Sequence, residues 1–311
     1  MRLIIKLIIL LFSIVLIDQL IGFQLTNLYE KNYCKHSGGS LNYYLKHKRH
    51  ETIFVGSSRV KNSIIPSKIG KDVSSVTNMG MHFLYHLSVV HLMEQYDKLP
   101  KKTLVFNLEA EDFYVESEQR LINDVFYLKY YYDKNEFVKN IINSKSVFEK
   151  YKFLSASYKF NGENFLLFTN KFQCVCNTRR REFMPLLASQ NDSLNIEKHK
   201  HENTHFEFTR LNKKMRDRLG DLNAICKRNN LQLILLYGPH FFEVKEYKEA
   251  SDFIQKYCQK NHIRYLNINN KNIPEFKNNK LWKDNLHLNE EGAKFYTKIL
   301  KDSLIQFSRI Q

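Results

Sequence analysis

The chain has 311 residues, 43% of them hydrophobic and 14% aromatic, which is enough apolar material for a sizeable core and too much for a disordered polyelectrolyte. Lys and Arg number 48 against 32 Asp and Glu, a formal net charge of +16, and such a surplus favours anionic partners such as acidic lipid, an acidic polymer or nucleic acid. The densest basic runs, residues 46–50 and 179–181, lie beside no nucleic-acid recognition motif, so solvated faces are the expected reading and no nucleic-acid partner is expected.

Residues 3–25, LIIKLIILLFSIVLIDQLIGFQL, are apolar over about the length a bilayer-spanning helix needs. Lys6, with Arg2, is able to snorkel to the headgroups, and Asp18 lies towards the far end. A cleaved signal peptide and a buried core helix are the alternatives. With no small-residue cleavage site after the run, an uncleaved anchor over 1–25 is expected. Arg2 and Lys6 argue for a cytoplasmic N-terminus and an exported body, although the basic residues that follow weaken that argument. Residues 26–50 are polar, carry Gly38-Gly39-Ser40, and read as a stalk.

From Thr52 onward, aliphatic or β-branched runs at 52–55, 75–77, 103–108, 231–237 and 264–268 read as strands. Helical patterns separate them, the clearest at 84–96, 208–229, 245–261 and 290–305. This alternation predicts an α/β domain over 51–308 with a mainly parallel sheet covered on both faces. In the last helix Ala293, Tyr296, Leu300 and Leu304 form one apolar stripe, and Asn289 is placed to cap it. The stretch 114–205 breaks the rhythm and reads as a partly helical insertion, a candidate cap over the site. Cysteines 34, 174, 176, 226 and 258 show no CxxC pair, so no metal site and no cofactor are expected. His82 and His86 stand four apart on a helix, without an evident third ligand, and read as satisfied helix-face histidines.

Two segments carry chemistry. Ile53-Phe54-Val55-Gly56-Ser57-Ser58-Arg59 is a buried strand entering a Gly-Ser turn at a strand's carboxyl end, where open α/β sheets bind ligands. Near the other end, Asp284-Asn285-Leu286-His287 sets a carboxylate three residues before an imidazole, close enough for Asp284 to orient His287 as a general base. Ser58 as nucleophile competes with Ser58 as an ordinary turn residue. The order Ser, Asp, His favours the nucleophile, with Ser57 as the fallback. His240, in Tyr237-Gly238-Pro239-His240 after the fourth strand, is a candidate pocket residue. Arg59 either steers an anionic substrate group or pairs with an acidic neighbour.

These blocks resemble those of the SGNH/GDSL hydrolase superfamily. Gly56-Ser57-Ser58-Arg59 is similar to the Gly-Ser-Ser-Arg variant of its membrane-anchored bacterial members, and Asp284-Asn285-Leu286-His287 matches its Asp-x-x-His ending. The resemblance implies a three-layer α/β/α sandwich with a flavodoxin-like sheet. It also implies an oxyanion hole from the backbone N–H groups of Ser58 and Gly80 in Asn78-Met79-Gly80, each such donor being worth ~3 kcal/mol of barrier. The third block departs from the family: Glu109-Ala110-Glu111-Asp112 puts Glu111 where an asparagine normally donates. Glu111 then points away or is protonated, or Asn107 or Asn78 substitutes. The activity implied is ester hydrolysis or O-acyl transfer on an envelope polysaccharide, with an acylated glycan or acyl donor as partner. The rival expectation is an idle anchored protein that binds a glycan or an assembly partner.

Overall fold

The computed structural model describes residues 2–31, 39–47, 49–162, 182–189, 192, 210–242, 245–269 and 273–309. Five parallel strands, β1 (Thr52–Gly56), β2 (Val73–Thr77), β3 (Thr103–Leu108), β4 (Gln232–Tyr237) and β5 (Arg264–Asn267), form one sheet in the order β2-β1-β3-β4-β5. The topology follows from alternation. Parallel neighbours require crossovers, and the helical segments between the strands supply them.

Each strand sends alternate side chains to opposite faces, and both faces are apolar. Ile53, Val55, Leu104, Phe106, Leu108, Leu233, Leu235 and Tyr237 belong to one core, with residues of α5 (Phe83–Gln95), α9 (Lys214–Arg228) and α10 (Lys245–Asn261). Phe54, Val105, Ile234, Leu236 and Leu266 belong to the other, with Val60 and Ile64 from α3 (Ser58–Ser63) and its end and Tyr296 and Leu300 from α11 (Glu290–Arg309). The short α4 (Pro66–Ile69) leads from α3 into β2.

The strands agree with the sequence reading to within two residues, but α9 starts at Lys214 rather than near 208. Asn212 explains the late start: its Oδ1 accepts the Lys214 N–H at 3.0 Å, while its own N–H is held by the Phe113 carbonyl at 2.6 Å. Leu211, next to it, is pinned by an antiparallel bridge to Tyr114 that closes the base of the insertion. Within the insertion the described residues include the α-helices α6 (Glu118–Val125), α7 (Glu136–Lys145) and α8 (Glu149–Lys152), with short 3-10 turns among them. α6 and α7 pack against α5 and each other.

The N-terminal region differs from an anchor followed by a stalk. The apolar helix α1 (Arg2–Lys31) continues past residue 25 and buries Leu25 and Tyr29, and α2 (Gly39–Lys46) buries Leu41 and Tyr44 in the same core. The Asn42 amide bonds the Tyr29 carbonyl at 3.0 Å. Apolar residues at helical spacing, hidden in a polar-looking stretch, make this segment part of the domain. Residues 32–38, with Cys34, lie outside the described residues, as do Cys174 and Cys176, whereas Cys226 and Cys258 are buried free thiols.

Candidate active site

The strand order reverses direction between β1 and β3, which creates a crevice beyond their carboxyl ends. β1 ends at Gly56, where the Cα has no room for a side chain: an added Cβ would lie 2.5 Å from Val60 Cγ2 and 2.8 Å from Asn107 Cβ. The close approach lets the chain turn at once into α3. Ser57 is the N-cap of that helix, its Oγ accepting the Arg59 N–H at 3.3 Å. Ser58 is therefore the first helical residue, where backbone N–H groups have no intrahelical partner, and its half-buried side chain is directed across the crevice.

There it meets the loop before α11. Ser58 Oγ lies 2.8 Å from His287 Nε2, and His287 Nδ1 lies 3.0 Å from both carboxylate oxygens of Asp284. The loop is held from several sides. Asp284 Oδ1 accepts the N–H groups of Leu286 and His287 at 2.8 and 2.7 Å, Lys283 N–H donates to the His287 carbonyl at 2.8 Å, and Trp282 bridges Leu288. Asn289, 2% exposed, accepts the Gly292 N–H at 3.0 Å and donates to the carbonyls of Lys280 and Trp282, so it caps α11 and ties the loop down together. Burial pushes the Asp284 carboxyl up, but the His287 ring and the two backbone N–H groups outweigh it and hold it below its usual range. An ionised carboxylate only accepts hydrogen bonds, so the proton sits on His287 Nδ1. This leaves Nε2 to accept from the Ser58 hydroxyl.

Ser57, the fallback nucleophile, points elsewhere: its Oγ donates to Glu109 Oε1 at 2.6 Å. The same oxygen accepts from Asn107 Nδ2 at 3.0 Å, and Glu109 Oε2 pairs with Arg59 Nε at 3.1 Å. Arg59 in turn reaches His240, its two terminal nitrogens 3.1 and 3.0 Å from the ring nitrogens, of which only one in a neutral imidazole accepts. Burial and the adjacent guanidinium keep His240 well below its ordinary pKa and so neutral, with the Tyr247 ring 4.0 Å away. Burial opposes the Arg59 charge, but Glu109 and Glu111 more than offset it and raise its pKa. Ser57, Arg59, Asn107 and His240, all candidates for contact with a substrate, are thus buried beneath Ser58 and satisfied by one another or by Glu109. Arg59 pairs with an acidic neighbour. Sequence reasoning missed Glu109. The signal was the β1–β3 pairing: Val55 opposite Phe106 carries residue 109 to the level of Ser58.

Glu111 lies in a 3-10 turn after β3 and accepts the Tyr247 hydroxyl at 3.1 Å. Gly80, at φ +76°, and half-buried Asn78 occupy the turn after β2, at the same sheet edge as Ser58. His82 pairs with Asp124 at 2.7 Å and His91 with Asp221 at 2.6 Å. His86, whose pKa burial pushes down to about 3, lies inside the core. Of the insertion, residues 182–189 run beside the site: the Met184 N–H donates to the Lys61 carbonyl of α3, and the Glu290 N–H to the Leu186 carbonyl, both at 2.9 Å. Lys283 pairs with Asp192 at 3.0 Å. Of the expected cap over 114–205, residues 163–181, 190–191 and 193–205 lie outside the described residues.

Asp112, 1% exposed, accepts the Phe83 N–H at 3.2 Å through Oδ2. Burial pushes its carboxyl up to about 8; His82 opposes the rise, and Glu109 and Glu111 add to it. The folded chain therefore keeps a proton that the unfolded chain releases near pH 4. The associated stability is fully present below pH ~4 and is lost as pH rises through about 8. Asp112→Asn keeps an acceptor for Phe83 without titrating. Its urea midpoint is expected to gain on that of the parent between pH 5 and pH 8; parallel curves would contradict this assignment.

No protein-family model matches the chain, and no curated protein matches it.

Proposed function

We propose that the protein is a serine ester hydrolase or O-acyltransferase of the SGNH type, anchored in a membrane by α1 and acting on acyl esters, chiefly acetyl, of an exported cell-envelope polysaccharide. The observation that carries this reading is the Ser58–His287–Asp284 chain of contacts, 2.8 Å and then 3.0 Å. In it, Ser58 Oγ attacks the acyl carbonyl as its proton passes to His287 Nε2, with Asp284 stabilising the imidazolium. The backbone N–H groups of Ser58 and Gly80 receive the oxyanion. His287 then returns the proton to the departing alcohol, leaving an acyl-Ser58 ester. Attack by water completes hydrolysis, and attack by a sugar hydroxyl completes transfer. The N-terminus is assigned to the cytoplasm and the catalytic domain to the outer side.

The engagement of Asn107 by Glu109, together with Glu111 in the asparagine position, favours a second reading: a glycan-binding protein that has lost turnover. The two separate by turnover of an aryl acetate. The assay needs the full chain in detergent, since cutting at residue 26 removes buried Leu25. The enzyme reading predicts release of the aryl alcohol that disappears in Ser58→Ala and accelerates with an added sugar acceptor if transfer dominates. Equal rates for parent and Ser58→Ala would favour the binding protein.

A further inference from the structure

Resting on the anchor reading of α1, we infer that a second surface, Val147, Phe148, Tyr151 and Leu154 around α8, lies in the headgroup region of the same bilayer and takes anionic lipid. These side chains recur at helical spacing and are 73, 66, 58 and 78% exposed. The polarity of the segment is inverted. Glu149 faces inward at 3% exposed, held by Lys152 at 2.7 Å and the Tyr158 hydroxyl at 3.1 Å, and Phe153 stacks on Tyr132 at 3.6 Å. A surface turn that buries its carboxylate and exposes four large apolar groups has its apolar face matched to a non-aqueous neighbour. Lys145, Lys150 and Lys152 rim the patch, all exposed, in the arrangement of apolar wedge and basic border found in interfacial segments.

The identity of that neighbour follows from α1. Immediately after Leu154, Asp18 of the apolar helix accepts the backbone N–H groups of Ala156 and Ser157 at 2.6 and 3.2 Å and the hydroxyls of Ser155 and Ser157 at 2.8 and 2.5 Å. Gly22 is packed on Ala156 so closely that an added Cβ would lie 2.6 Å from the alanine Cβ. The patch is therefore fixed to the helix at the level of Asp18. Leu20, Ile21 and Phe23, exposed by 59, 45 and 62%, carry the lipid-facing surface beyond Asp18. The loop 155–157 must then reach the membrane boundary, and the flanking apolar residues enter it. The docked hydroxyls and N–H groups also explain how an apolar span tolerates a carboxylate.

The test places tryptophan at the patch. Full-length Phe148→Trp and, separately, Leu154→Trp are reconstituted into vesicles of zwitterionic and anionic phospholipid, with and without brominated acyl chains, and compared with the parent, whose one tryptophan, Trp282, is buried. The expected result is co-flotation with the vesicles, a blue-shifted emission from the new tryptophan, and at least about twofold quenching by brominated lipid. A chain that co-floats with an unquenched, water-like tryptophan overturns the patch and leaves the anchor standing. An unquenched but blue-shifted tryptophan means another protein surface covers the patch, which also overturns the proposal. A chain that fails to co-float overturns the anchor reading and the patch with it.

Discussion

Replacing His287 by alanine is expected to lower kcat/KM for an aryl acetate by about 10⁴- to 10⁶-fold, without loss of fold. The magnitude follows from what the ring does. At 2.8 Å from Ser58 Oγ, Nε2 is the acceptor poised for the serine proton, and without it the hydroxyl must attack at its own unfavourable pKa. Asp284→Asn should lose about 10⁴-fold, because an amide no longer dictates which ring nitrogen carries the proton. The side chains of both residues are partly exposed, 22% for His287 and 46% for Asp284, so their removal leaves no buried charge unpaired. A His287→Ala variant within tenfold of the parent would mean that another group activates the serine.

The second large effect is on stability. Glu109→Ala is expected to cost about 3–5 kcal/mol, because it strands the Arg59 guanidinium in the interior and takes partners from Ser57 and Asn107 at once. Both side chains are about a tenth exposed, 10% for Arg59 and 11% for Glu109, so water offers little compensation. Replacing the pair together, Arg59→Met with Glu109→Leu, should recover the part of the loss that comes from the stranded guanidinium, since desolvation of two charges then disappears along with their attraction, while Ser57 and Asn107 still lack Glu109. Urea unfolding at constant slope measures both. A Glu109→Ala variant within about 0.5 kcal/mol of the parent would show that Arg59 finds water or another anion.

The two predictions concern different layers of one site. Ser58, His287 and Asp284 face the crevice, whereas Ser57, Arg59, Glu109, Asn107 and His240 form the polar floor under it. The floor ties the Ser57-Ser58 turn to the end of β3 and the loop after β4. Ser58 is thereby positioned from below while the Asn289-capped loop positions His287 from the side. Such supporting contacts matter because a misplaced nucleophile loses the benefit of proximity.

What is legible in the sequence is governed by short-range patterning. Runs such as Leu104-Val105-Phe106 in β3 and Leu233-Ile234-Leu235 in β4 announce strands because both faces of a parallel sheet are buried. Asn289 before Glu290-Glu291 announces the start of α11. What escapes depends on pairing between distant segments. Glu109 looks like one acid of three in a polar turn, and only the alignment of β1 with β3 brings it to Ser57 and Arg59. Tyr29, Leu41 and Tyr44 sit among Lys, Asn and Gly and suggest a stalk, yet tertiary packing overrides that composition and draws them into the core. Asp18 reads as an interruption in an apolar helix; its partners come from 137 to 139 residues away.

The proposed activity requires Ser58 to be a nucleophile activated by His287. Treating the full-length chain with a serine-reactive fluorophosphonate and mapping the adduct by peptide mass spectrometry tests this most directly. A single phosphonyl group on Ser58, absent from Ser58→Ala and formed far more slowly in His287→Ala, is the expected result. An adduct on Ser57, or equal labelling of parent and His287→Ala, would contradict it.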